Sequence, residues 1–191
     1  MTTQNEIISE SYLSRIIALS DTEAGKIPQI KRFAFVNVAT GKEDPMFNFQ
    51  MDIDKEISRL VYANAINDLM VRFIRKDIFE NNTEMLVMER LYPITYQSIS
   101  KDERISVFEK FDSQITELHI NGFIHGDIEH PMRAVPEILF NNIILTDKGL
   151  RLVDTGFSLI RKEEINQDKY ISLLRREILE ILNFKEYFLS L

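Results

Sequence analysis

Between Leu118 and Leu159 the sequence gathers side chains able to do polar chemistry. First comes Gly122-Phe123-Ile124-His125-Gly126-Asp127-Ile128, then Asn142-Ile143-Ile144-Leu145, then Leu152-Val153-Asp154-Thr155-Gly156-Phe157-Ser158. A carboxylate such as Asp127 can take a proton or orient a hydroxyl. The oxygens of an amide and a carboxylate, Asn142 and Asp154, are of the hard type that divalent cations accept. Each residue also has a plain structural use. Asp-x-Gly commonly makes a surface turn, Asn141-Asn142 can shape one, and a buried His125 can hold its loop by hydrogen bonding. The chain contains no cysteine, which excludes a thiolate nucleophile, a disulfide framework and cysteine metal sites. Three histidines are too few for a histidine-rich zinc cluster.

Changes of apolar periodicity predict the elements that position these residues. Arg15-Ile16-Ile17-Ala18-Leu19 is a short apolar run, and Ser20 to Gly25 reads as a turn. Ile30–Val38 reads as a strand, Ala39-Thr40-Gly41-Lys42 as a turn, and Met46, Phe47, Phe49 and Met51 as a third strand, so an antiparallel meander is expected over the first fifty residues. Asp52 or Asp54 can cap a helix running to about Arg75, with Ile53, Ile57, Leu60, Val61, Ala65, Leu69 and Phe73 at helical spacing. Glu84–Leu91 reads as a strand. Asp102–Ile120 reads as a helix with Ile105, Phe108, Phe111, Ile115 and Leu118 on one face. Residues 143–145 and 150–153 form a hairpin around Gly149. Leu173, Leu174, Ile178, Ile181 and Leu182 predict one or two packed helices in the last stretch.

The chain has 191 residues, 45% of them hydrophobic and 28% charged, with only 5 Pro and 6 Gly. That is a globular balance, with room for one domain or a compact two-lobed body. A net charge of -7 argues against nucleic acid as the main partner. No apolar run approaches 18 residues, so neither a transmembrane span nor a secretory signal peptide is expected. The expected location is soluble, in the cytoplasm or acting in a cytosol.

The ordered set of helix, His125-Gly126-Asp127 loop, Asn142, hairpin and Asp154-x-Gly156 resembles the protein-kinase-like superfamily, in its minimal or atypical forms. The resemblance implies an α+β, protein-kinase-like two-lobed fold. It would form a single minimal domain over 1–191, with a small antiparallel-sheet N-lobe at about 12–91 and a truncated, mainly helical C-lobe at about 95–191. It implies ATP and Mg2+ as cofactors. Asp127 and His125 take the catalytic positions, with His125 holding the loop. Asn142 and Asp154 are the implied metal ligands. Glu56, Lys42, Lys31 and Met88 are the implied cofactor-binding residues, Lys31 and Lys42 being alternatives for the phosphate-positioning lysine and Glu56 its acidic partner.

The sequence departs from the family pattern in several places. Asn142 lies fifteen positions after Asp127 rather than five, so the segment 129–138 is an insertion, expected to contact a substrate or partner. Ile128-Glu129 stands where a basic residue often follows the aspartate. No glycine-rich phosphate loop is recognisable, and no Ala-Pro-Glu follows. The implied activity is transfer of the ATP γ-phosphate to a hydroxyl, on Ser or Thr of a protein. The alternatives are a pseudokinase that binds a regulatory protein partner and a small-molecule phosphotransferase.

Overall fold

The computed structural model describes residues 6–11, 14–29, 31–33, 47–49, 52–129, 139–163 and 166–191, with backbone alone for 31–33, 47–49 and 163. The fold is α+β, and the chain divides into two compact units: residues 1–55 with 73–90, and residues 56–72 with 91–191.

In the first unit, β1 (Ile7–Glu10), β2 (Ser14–Ala18), β3 (Glu23–Pro28), β6 (Phe73–Phe79) and β7 (Thr83–Glu89) form an antiparallel sheet of order β1-β2-β3-β7-β6. Of the expected meander, the first strand is β2, whereas β1 and β3 were not expected, and the turn at 39–42 lies outside the described residues. Two further strands, β4 (Lys31–Phe33) and β5 (Phe47–Phe49), pair separately with each other. The turn expected at 20–25 is shorter than that, because β3 already begins at Glu23. Gly25 is a strand residue opposite Ile17 and Val87, and a Cβ there would run into the Met85 thioether. Central β7 reads Met85-Leu86-Val87-Met88, buried on both faces as a continuous apolar run. Ile17, Ile27, Met85 and Val87 make the core of this sheet.

Helix α1 (Ile53–Asn64) starts where Asp52 Oδ1 accepts the Lys55 N–H at 3.0 Å. The helix ends eleven residues before the expected limit at Arg75. The Asn64 side chain donates to the Val71 carbonyl at 3.3 Å, folding residues 65–68 into a turn. Leu69, Met70 and Val71 are then consecutively buried, and Phe73 opens β6. The apparent helical spacing of Leu69 and Phe73 came from a buried extended run.

In the second unit, α2 (Lys101–Ile120) begins with a full capping box, Ser100 with Glu103. It buries Phe108, Phe111, Ile115 and Leu118. Ile105, expected on that face, is exposed, and Arg104 turns inward instead, donating to the Ile99 carbonyl at 2.7 Å. The strand pair β8 (Phe123–Ile124) with β11 (Leu159–Ile160) and the hairpin β9 (Ile143–Thr146) with β10 (Gly149–Leu152) follow. The last stretch is a single helix, α3 (Gln167–Ser190). Its buried stripe is Tyr170, Glu177, Ile181, Phe184 and Phe188, while Ile178 and Leu182 face outward. The aromatic rings decide this rotation. Phe184 meets Phe108, Phe111, Phe140 and Phe188 at centroid distances of 5.1–6.2 Å. Each such burial is worth about 1.5–3 kcal/mol. No helix among the described residues is long and apolar enough to cross a membrane.

Candidate functional site

The site is built from two loops of the second unit. The first leaves β8 through His125, which is 1% exposed. Its Nε2 lies 2.9 Å from the Val153 carbonyl, which can only accept, so Nε2 donates. Nδ1 then accepts the Asp127 N–H at 3.4 Å. Both ring nitrogens are occupied, Nε2 in joining the loop to the residue before Asp154 and Nδ1 in holding the Asp127 backbone within the loop. Gly126 has φ +83°, and a Cβ there would come within 2.6 Å of the Phe157 carbonyl oxygen, so only glycine lets the two loops approach. Ile128, 1% exposed, anchors the far side of Asp127.

Asn142 sits at the entry to β9, and its carbonyl accepts the Val153 N–H at 3.0 Å. Its Nδ2 donates to the Asp127 carbonyl at 2.8 Å and to Asp127 Oδ2 at 2.9 Å. The amide is thereby oriented with its hydrogens on Asp127 and its oxygen directed elsewhere.

Asp154 follows β10 with φ +66°, a left-handed conformation that aspartate tolerates better than most residues. Its Oδ1 accepts the Gly156 N–H at 2.9 Å. The loop is pinned to α1. The buried Thr155 hydroxyl donates to the Glu56 carbonyl at 3.0 Å, and the Arg59 guanidinium donates to the Gly156 carbonyl at 2.8 Å. Pairing of Leu159 with Ile124 then returns the chain beside the strand that precedes His125.

The remaining expected residues fall elsewhere. Glu56 is 2% exposed on α1. Met88 is buried in β7, between Ala24 and Phe73 of the neighbouring strands. Lys31 lies in β4 opposite Phe49, with only its backbone described. Lys42 and residues 130–138 of the insertion lie outside the described residues.

Two residues that the sequence reading passed over are prominent here. Lys26 is 3% exposed, in the middle of β3 opposite Ile16 and Leu86. Its signal was a basic residue between Ala24 and Ile27, obscured by taking Gly25 as a turn. Glu177, 1% exposed on α3, accepts the backbone N–H groups of His125 at 3.0 Å and of Gly126, and lies 2.8 Å from His119 Nε2. An acid spaced seven residues before Phe184 and four before Ile181, on the buried stripe, was the available signal.

As a divalent-ion site, the donors are one amide oxygen and one carboxylate. Among the described residues no group of three or more His, Cys, Asp or Glu side chains is arranged to enclose a metal. Two oxygen ligands fit magnesium, which retains water and phosphate oxygens in its shell, better than they fit an ion needing a protein cage.

No family model matches the sequence, and no curated protein matches it by sequence. By structure, the chain is similar to the Cydia pomonella granulovirus kinase PK-1, with a TM-score of 0.51 and 12% identity over 81% of this chain and 54% of that one. The fold is kinase-like. The chain spans about half the length of the viral kinase, and the likeness, at this identity, is one of fold.

Proposed function

We propose that the protein is a minimal kinase that transfers the γ-phosphoryl group of ATP to a hydroxyl, on Ser or Thr of a protein substrate. The observation that carries the reading is the Asp127 carboxylate held by the Asn142 amide, in a loop joined through His125 to the residue before Asp154. Phosphoryl transfer needs alignment and charge neutralisation more than covalent help. Asp127 orients the acceptor hydroxyl and takes its proton as the new P–O bond forms and the bond to the departing ADP oxygen breaks. Asn142 Oδ1 and the Asp154 carboxylate would hold magnesium, which neutralises the phosphate oxygens when bound.

The test is a mass-shift assay with ATP, magnesium and a panel of proteins, paired with single-turnover kinetics of Asp127→Asn. The variant should transfer at least about 100-fold more slowly, with nucleotide affinity little changed. A parental rate in Asp127→Asn removes Asp127 from the reaction.

A second reading, a pseudokinase that holds a protein partner, is favoured by one observation. No glycine-rich phosphate loop is recognisable in the sequence, which has only 6 Gly. Tight nucleotide binding without transfer to any protein of the panel would select it.

A further inference from the structure

The loop that carries Asp127 is bracketed from outside by a polar strip of α3 that none of the roles above uses. Arg176 donates to the Gly126 carbonyl at 2.9 Å, on the N-terminal side of Asp127. The same guanidinium lies 3.1 Å from Glu180 Oε1, one helical turn on. The other carboxylate oxygen, Oε2, is buried near Glu129, on the C-terminal side of Asp127, with no hydrogen-bond partner among the described residues. Asn183 then donates to Glu129 Oε2 at 2.8 Å. Positions 176, 180 and 183 lie on one face of the helix. Arg176 and Asn183 therefore grip the loop one residue before and two residues after Asp127.

We propose that Arg176, Glu180 and Asn183 are positioning residues for Asp127, Arg176 and Asn183 holding the two ends of its loop and Glu180 fixing the Arg176 guanidinium. The inference rests on the reading of Asp127 as the residue facing the acceptor hydroxyl. A one-ångström displacement of an aligned group can cost about 100-fold in rate, so a bracket on the residues one before and two after the reacting carboxylate bears on transfer.

The bracket is sensitive to protonation. Glu180 is largely buried, and its carboxyl is pushed up to about 6, mainly by desolvation. The charged groups facing it are Arg176 and Glu177 on its own helix and Glu129 on the loop. Arg176 favours the ionised form, and the two acids oppose it. An ionised Glu180 makes a charge-assisted contact with Arg176, roughly twice as strong as a neutral one. The loop is held most firmly above pH 6 and loosens below it.

The experiment uses the full chain, with MgATP as the probe and its hydrolysis or transfer as the readout. The variants are Glu180→Gln, Arg176→Gln and Asn183→Ala, with Arg175→Gln as a solvent-facing control on the same helix. The amide resonances of Gly126 and Glu129 should titrate with a midpoint near 6 in the parent and lose that titration in Glu180→Gln. Single-turnover rates should fall about tenfold in Glu180→Gln and Arg176→Gln, with MgATP affinity unchanged. The acid limb near pH 6 should vanish from the rate profile of Glu180→Gln. Loop amides unmoved in the variants, or an equal loss of rate in Arg175→Gln, would overturn the proposal. If the parent consumes no ATP, the proposed function fails, and the amide titration alone decides whether the bracket exists. Asn183→Ala, which leaves the buried stripe of α3 intact, decides the matter by the same amide shifts if the charged-pair variants do not fold.

Discussion

Lys26 places an ammonium in the interior of a sheet, where a charge is tolerated only with a partner, and Lys26 has one. Lys26→Ala strips that partner of its cation and should destabilise the protein by about 1–3 kcal/mol, read as a lower urea midpoint. An unchanged midpoint would show that the buried charge contributes nothing to the fold. Asp127, Asn142 and Asp154 stood out in the sequence because their order and the elements between them form a set, and the fold brings Asp127 and Asn142 into hydrogen-bond contact, although each alone is an ordinary turn residue. Lys26 and Glu177 did not. A buried charge looks like a surface charge until the neighbouring strand or helix is in place, and the groups that hold Glu177 lie 51 and 52 residues away in sequence.

At the scale of elements, α2 shows how local signals define an end. Ser100 Oγ accepts the Glu103 N–H at 3.3 Å, and the Glu103 carboxylate accepts the Ser100 N–H at 2.8 Å. The Ser100 hydroxyl, which donates to the Glu103 carboxylate at 2.7 Å, and then the Ser100 N–H hold that carboxyl below its usual value. Its contribution is therefore present at neutral pH and is lost as pH falls through the lowered value. Ser100→Ala should destabilise the protein by about 1 kcal/mol, read as a lower urea midpoint, and leave MgATP affinity untouched because the cap is remote from the site loops. Affinity falling together with stability would show that the start of α2 reaches the site. Such caps, and the β9–β10 turn at Gly149, are visible in sequence because the interactions span three residues. The rotation of α3 was not visible. Leu173, Ile178 and Leu182 are as apolar as Ile181, and only the rings of Phe108, Phe111 and Phe140, from elsewhere in the chain, select the stripe through Phe184. The end of α1 was missed for a related reason, since a fully buried extended run such as Leu69–Val71 carries no period that separates it from a helix.

For the whole molecule, folding is linked to pH through the groups that burial perturbs. Glu180 carries a carboxyl raised from 4.5 to about 6, so between these values the native chain holds a proton that the unfolded chain releases. Its contribution is complete below pH 4.5 and is lost as pH rises through 6, at most about 2 kcal/mol. Urea unfolding of the parent and Glu180→Gln should therefore diverge in favour of the variant from pH 4.5 to 7, and parallel curves would refute the linkage. The same carboxylate that would steady the loop costs stability when ionised, a trade common at working sites. The strip on α3 has one more consequence, which concerns time. The loop of residues 125–129 leaves the ribosome some fifty residues before Arg176, Glu177 and Glu180, a delay of about 3–10 s at ordinary synthesis rates. During that interval Asp127 and Asn142 are already made and their clamp is not. A nascent chain arrested just beyond Asp154 would carry Asp127, Asn142 and Asp154 of the proposed site and still lack the helix that holds the Asp127 loop, so the held loop should arrive late and in one step.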